Sequence, residues 1–217
     1  MKNNITELVF ILDRSGSMAN MVSDTVGGFN STLKKQKEID EKAYVSLVLF
    51  NDRSQVVYDR ADIREVKNLN EEDYYPAGCT ALLDAVGDAI HHIGNVHKYA
   101  RREDVPDKTV FVIITDGMEN ASRRYTYADV KKKISHEKEK YGWEFLFLGA
   151  NINAEVEADK LGIDRDRAVN YHCDTKGMQV TYEAVTAFCT QMRAPKQTRD
   201  NNWRKKVDED YNKRGKK

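Results

Sequence analysis

The sequence predicts an α/β fold: a doubly wound, mostly parallel sheet of six strands with helices on both faces. Three observations carry this reading. Short apolar runs alternate along the chain with stripes of apolar residues at helical spacing. The clearest runs, LVFIL (Leu8 to Leu12) and VFVII (Val110 to Ile114), are continuous, as in strands buried on both faces. Both lead into aspartate, FIL-Asp13 and IIT-Asp116, at the carboxyl ends of strands, where open α/β sheets place their ligands.

Each element follows from its own pattern. Leu8 to Leu12 is the first strand, and Val22, Val26, Phe29 and Leu33 recur at spacings 4, 3, 4 as a helical stripe. Tyr44 to Phe50 (YVSLVLF) is the second strand and Gln55 to Tyr58 (QVVY) the third. The four residues between them, Asn51 to Ser54, allow a hairpin but no parallel crossover, so the third strand runs antiparallel to the second. A polar stretch, Asn68 to Cys79, leads into a long helix marked by Leu82, Val86, Ile90 and Ile93. The strand Val110 to Ile114 follows, then a helix through Val130 and Ile134, opened by Thr126 and Asp129 at capping-box spacing. Phe145 to Gly149 is a strand, Asn153 caps a short helix ending near Gly162, and Ala168 to Tyr171 is a weak strand. Tyr182, Val185, Phe188 and Met192 mark a final helix.

The chain of 217 residues is read as one domain, 1–194, followed by a charged, basic tail, 195–217. Lys plus Arg and Asp plus Glu both total 35, which argues against a uniformly basic nucleic-acid coat. The tail from Lys196 carries nine basic and four acidic residues. Trp203, Val207 and Tyr211 could form one weak helical stripe in it, but the expectation is a solvated or frayed extension beginning near Pro195. No apolar run approaches the ~20 residues of a membrane span or the ~7 of a signal peptide's core. Cys79, Cys173 and Cys189 form no C-x-x-C and are odd in number, so three reduced thiols in a cytoplasmic protein are expected.

The chemistry concentrates at the strand ends. If the strands ending at Asp13 and Asp116 are neighbours, two negative charges converge, which is costly unless one protonates or a cation bridges them. Asp13, Ser15 and Ser17 form Asp-x-Ser-x-Ser, with Gly16 allowing a sharp turn, and Thr80 in AGCTALLDA offers a third hydroxyl. Such hard oxygen donors suit Mg²⁺ or Mn²⁺.

DRSGSM after the first strand, Thr80 in GCTALLDA, and TDG after a later strand together resemble the von Willebrand factor A family over about residues 5–194. The tone of IITDGMENAS is similar to stand-alone bacterial cytoplasmic members. The resemblance implies a metal-ion-dependent adhesion site at Asp13, Ser15, Ser17, Thr80 and Asp116, with Asp13 and Thr80 acting partly through water. It implies Mg²⁺ as the usual ion, its remaining position filled by a partner's carboxylate or by water. It also implies the sheet order 3-2-1-4-5-6 with strand 3 antiparallel. Two residues depart from the family pattern. Cys79 stands where a glycine often precedes the threonine, and Met18, Ala19 and Asn20 replace the acidic residues that hold an adjacent second ion in integrin-type members.

The expected function is therefore a non-enzymatic, metal-dependent module that binds a protein partner through an acidic side chain. The loops Asn51 to Arg53, Tyr74 to Gly78 and Met118 to Arg123 would choose that partner. The alternative is a Mg²⁺-dependent phosphoryl-transfer or hydrolytic enzyme at the same site. Against it, Ser15 occupies the place of the second carboxylate such enzymes usually need, and neither serine lies in Gly-x-Ser-x-Gly. Other readings are weaker. Asp13, Ser15 and Ser17 could be a helix cap without metal. Glu119 and Asn120 could line the rim or form a solvated turn. Asp88 and His92 are i,i+4 and could share a metal. Asp164-x-Asp166 lacks the glycine and glutamate of a calcium loop. Tail binding to nucleic acid has charge but no motif.

Overall fold

The computed structural model describes residues 3–194 and 202–215. Six strands form one sheet in the order β3-β2-β1-β4-β5-β6. They are β1 (Thr6–Asp13), β2 (Ala43–Phe50), β3 (Ser54–Asp62), β4 (Lys108–Thr115), β5 (Glu144–Ala150) and β6 (Ala168–Tyr171). All neighbours pair in parallel except β2 and β3, as the short hairpin requires. The expected strand order and the antiparallel third strand are both present.

Alternation along β1 divides the core. Leu8, Phe10 and Leu12 face a cluster completed by α1 (Val22–Lys37) and α5 (Thr175–Arg193). Val9 and Ile11 face a second cluster built by α2 (Leu82–Tyr99), α3 (Tyr127–Tyr141) and α4 (Ala154–Leu161). The capping signals act as expected. Thr126 and Asp129 exchange hydrogen bonds at the start of α3, and Asn153 Oδ1 accepts the Val156 N–H at 3.2 Å to start α4. Gly28 lets α1 and α5 approach closely, since a Cβ there would come within 2.1 Å of the Tyr182 ring.

Strand β3 runs four residues beyond the predicted Tyr58, to Asp62. Its far half is irregular: the register with β2 shifts near Leu47, and Arg60 adopts φ 47°. The irregular half lies beside a buried acidic side chain. Glu7 on β1 is fully buried and binds Arg60 Nε at 2.9 Å and His97 Nε2 at 2.6 Å. Polar residues that break the apolar pattern of β3 are thus drawn into the sheet by a partner.

The expectation of a frayed tail does not hold for its described part. A turn at Asn202–Arg204 leads into α6 (Lys205–Arg214), which packs on α5 and β6. Trp203 is 4% exposed and meets the Phe188 ring edge-on at 5.1 Å, and Val207 joins the α1/α5 cluster. The stripe Trp203, Val207, Tyr211 is thus the docking face of a helix. Residues 195–201, where the extension was expected to begin, lie outside the described residues. Among the described residues no helix is long and apolar enough to cross a membrane.

Candidate metal centre

Strands β1 and β4 are hydrogen-bonded neighbours with Leu12 opposite Ile114, so Asp13 and Asp116 emerge side by side at the carboxyl edge of the sheet. Asp13 is 1% and Asp116 2% exposed. Asp13 is held from both sides. Its Oδ1 accepts the Ser15 N–H at 2.7 Å, its Oδ2 accepts the Thr115 hydroxyl at 2.7 Å, and its carbonyl accepts the Tyr74 hydroxyl. The Asx-type turn at Asp13 swings Ser15 and Ser17 over the edge, where their hydroxyls lie 3.1 Å apart. Ser17 Oγ then donates to Asp116 Oδ1 at 2.6 Å. The first and third predicted segments therefore meet through a direct side-chain contact.

The second segment closes the third side. Gly16 N–H donates to the Gly78 carbonyl at 3.1 Å, tying the Asp-x-Ser-x-Ser turn to the approach to Thr80. Gly78 sits at φ +71°, and a Cβ there would come within 1.9 Å of Asp52 Oδ2, so only glycine fits. Asp52 Oδ1 in turn accepts the Cys79 N–H at 3.1 Å, which anchors the loop where Cys79 departs from the family pattern. Thr80 is buried and fixed to the TDG loop by a reciprocal pair: its N–H donates to Asn120 Oδ1 at 2.8 Å and its carbonyl accepts the Asn120 N–H at 3.0 Å. Its hydroxyl faces Gly117, 3.7 Å from where a Cβ there would stand. Hydrogen bonds join Asp13, Ser15, Ser17 and Asp116 at this edge, and Thr80 stands beside Gly117 on the neighbouring loop.

Burial pushes the Asp13 carboxyl above its ordinary range, and burial does the same to Asp116. Neither forms an ion pair with any Lys, Arg or His among the described residues. Two buried, adjacent, uncompensated carboxylates beside three hydroxyls fit a hard divalent cation. No three His, Cys, Asp or Glu side chains of the described residues converge on a metal position, so hydroxyl oxygens must complete any donor set. Asp88 and His92 do not share a site: Asp88 binds Arg124 at 2.5 Å and His92 binds Asp59 at 2.8 Å.

Sequence reasoning missed the residues that brace the crevice. Thr115, Tyr74 and Tyr171 hold its backbone and carboxylate, Tyr171 by donating to the Thr115 carbonyl at 3.1 Å. Glu119 is neither a rim ligand nor a solvated turn. It accepts the N–H groups of Leu83, Ala121 and Ser122 at 2.9, 2.9 and 2.7 Å and so clamps the TDG loop to the first turn of α2. Asp84 continues the clamp by accepting the N–H groups of Arg123, Arg124 and Tyr125. Partial burial opposes ionisation of Asp84, but these backbone donors outweigh it and hold its carboxyl below the usual range. The signal available in the sequence was only the acidic residue itself, one at each end of the two segments that meet.

The sequence model of the von Willebrand factor type A domain matches residues 7–181. Among solved structures, the von Willebrand factor domain of the type V pili tip protein Mfa5 from Porphyromonas gingivalis superposes with TM-score 0.62 at 8% identity, covering 88% of this chain and 96% of that one. The von Willebrand factor type A protein from Catenulispora acidiphila gives TM-score 0.55 at 18% identity, covering 84% of this chain and 42% of that one. Proximal thread matrix protein 1 from the mussel byssus, with a zinc-occupied metal-ion-dependent adhesion motif, gives 0.57 at 15% identity, covering 85% and 45%. The chain thus spans less than half the length of the Catenulispora and mussel proteins. Among curated proteins, none matches this chain in sequence.

Proposed function

Because the chain belongs to the von Willebrand factor type A domain family, we propose that Asp13, Ser15, Ser17, Thr80 and Asp116 hold a divalent ion, Mg²⁺ or Mn²⁺, that takes a carboxylate from a protein partner. The observation that carries this reading is the pair of buried carboxylates, joined through Ser17 and without a basic partner among the described residues. The zinc in the adhesion motif of the mussel protein supports a divalent ion in this fold. When bound, the ion supplies a concentrated positive charge to which a partner's carboxylate is drawn more strongly than a neutral carbonyl. The chain's own residues orient the donors. Thr115 and Tyr74 hold Asp13, and Glu119 and Asp84 keep the TDG loop against α2.

This is a binding module rather than an enzyme. Among the described residues no histidine is hydrogen-bonded to Ser15 or Ser17, and the carboxylate that Ser17 does bind, Asp116, serves on this reading as an ion ligand rather than as a base. Residues 1–194 form the binding unit, and 195–217 follow it as a basic segment whose described helix, α6, packs back on α5 and β6. The three cysteines are free, in keeping with a reducing bacterial cytoplasm, and the balanced charge gives no general affinity for nucleic acid. Titrating Mn²⁺ into the purified chain by calorimetry tests the ion. Saturable binding by wild type and its loss in Asp13→Ala are expected; equal heats from both proteins would overturn the reading.

A further inference from the structure

The ends of β4, β5 and β6 border a half-open pocket of about 700 Å³ beside Asp116, with Asn151 and Asn153 exposed at its mouth and Asn170 half-buried. Two residues of its lining touch that aspartate. Asn151 Nδ2 donates to the Asp116 carbonyl at 3.2 Å, and Cys173 Sγ lies 3.9 Å from Asp116 Oδ2. Met118, 60% exposed, stands at the side of the TDG loop. The outer wall is Tyr211 of α6, stacked on His172 with ring centroids 4.8 Å apart. Arg214 of the same helix binds Asp174 at 2.6 Å. This helix lies beyond residues 7–181, so the cavity is finished by a part of the chain outside the family match.

Three asparagines give the cavity its chemistry. Asn153 Oδ1 accepts the Val156 N–H at 3.2 Å and Asn170 Oδ1 accepts the Ala154 N–H at 2.9 Å, both at the start of α4. These bonds fix the two amide groups, whose Nδ2 atoms make no hydrogen bond among the described residues, and Asn151 Oδ1 is likewise uncommitted. Among the described residues no Lys or Arg lines the cavity. An acidic occupant would meet Asp174, and the one basic side chain of the described lining, His172, has its Nε2 engaged with the Tyr211 carbonyl at 3.2 Å and its ring stacked on Tyr211. A basic occupant would find Asp174 already paired with Arg214 and a divalent ion close by. The lining calls for an uncharged group that accepts from amide N–H and donates to an amide oxygen; a carboxamide does both through two separate atoms, which suits amides spread over Asn151, Asn153 and Asn170 better than a single hydroxyl does.

We propose that the protein partner carries an Asn or Gln close to its ion-binding Asp or Glu, and that this carboxamide enters the cavity bounded by Asn151, Asn153, Asn170 and Tyr211. The inference rests on the ion taking a carboxylate, as argued above. It assigns partner choice to the β5 and β6 side of the crevice, and it gives the C-terminal helix a part in recognition.

The test uses a displayed random peptide library with one fixed central glutamate, panned against the full chain in Mg²⁺ and eluted with EDTA. Asn or Gln should be enriched at a single offset from the glutamate. A synthetic peptide of the selected sequence should lose about tenfold in affinity when its carboxamide residue becomes Leu, the scale of one or two hydrogen bonds. Asn153→Asp and Asn170→Asp keep the oxygen that starts α4 but remove the N–H donors. Their added charge weakens both glutamate peptides alike, so the readout is the excess: the carboxamide peptide should lose its roughly tenfold advantage over the Leu peptide in both variants. Melting curves and Mn²⁺ titration of both variants should match wild type. EDTA-eluted peptides without amide preference, or a carboxamide advantage kept in full by both variants, would overturn the inference while leaving the ion reading intact. If wild type binds no Mn²⁺, or binds it but yields no EDTA-eluted peptides, the underlying reading fails and this inference with it.

Discussion

Replacing Asp116 by Asn separates the cost of the crevice from its use. The substitution keeps the shape and keeps Oδ1 as acceptor for Ser17, whose hydroxyl stands 2.6 Å away. The Asn151 bond goes to the backbone carbonyl and is untouched. Only the weak contact from Cys173 Sγ at 3.9 Å is altered, so the lost bonding is worth less than about 1 kcal/mol. Against that loss stands a gain. Burial raises the Asp116 carboxyl, so at neutral pH its charge opposes folding, and the variant removes that charge. In EDTA, Asp116→Asn should therefore melt within a few degrees of wild type or above it. The sign also fixes a pH dependence. With both carboxyls raised, ion-free wild type should lose stability as pH climbs from the ordinary carboxylate range through the raised values. The ion reverses the comparison. At 100 times its Kd an ion that binds only the folded chain adds about 2.7 kcal/mol, or roughly 5–10 °C for a chain of this size. Wild type should show that rise in Mg²⁺ or Mn²⁺ by differential scanning calorimetry, and Asp116→Asn should not at the same concentration. A variant that melts many degrees lower in EDTA would make Asp116 a structural acceptor, and a flat wild-type curve across millimolar Mg²⁺ and Mn²⁺ would refute the site.

Three further outcomes follow from the same contacts. Asp84→Ala strands three backbone N–H groups at the TDG loop and should cost about 2–4 kcal/mol in urea unfolding. Because the Asp84 carboxyl is held low, its contribution should be full above the ordinary aspartate pKa and fade as pH falls through the folded value, which a pH series of wild type against Asp84→Ala would trace. Trp203→Ala empties a buried position between α5 and α6 and should cost about 3–5 kcal/mol, read by the same unfolding experiment; a loss under about 0.5 kcal/mol would mean α6 is not docked. Gly78→Ala must accommodate a side chain at φ +71° against Asp52, and should weaken Mn²⁺ binding measured by calorimetry through displacement of the Thr80 segment.

The strands and most helices were legible because their residues obey local periods: LVFIL and VFVII could be little else, and Thr126, Asn153 and Gly162 mark helix ends where they occur. The crevice was legible because strand order brings its segments together once β1 and β4 are neighbours. What stayed hidden depends on partners distant in sequence. Arg60 looks like the end of a strand until Glu7, 53 residues away, draws it in. Glu119 looks solvated until the N-terminal turn of α2 presents the Leu83 N–H to it. The stripe Trp203, Val207, Tyr211 could be read, but its dock on α5 and β6 could not, because an amphipathic face does not name what it covers.

Strand pairing at the crevice has a consequence for how the site can yield. Asp13 closes β1 and Asp116 succeeds β4, so both are carried by adjacent hydrogen-bonded strands, whose spacing of about 4.8 Å is a constant of the sheet. Two of the three supports are therefore fixed like jaws cast in one piece. The third, Gly78 to Thr80, belongs to no strand and hangs from Gly16, Asp52 and Asn120 by single hydrogen bonds or a reciprocal pair. A change of ionic radius, or the arrival and departure of a partner, loads that support before the others. If the crevice holds the proposed ion, its exchange is set by this one short loop, while the position of the two carboxylates is set by the sheet.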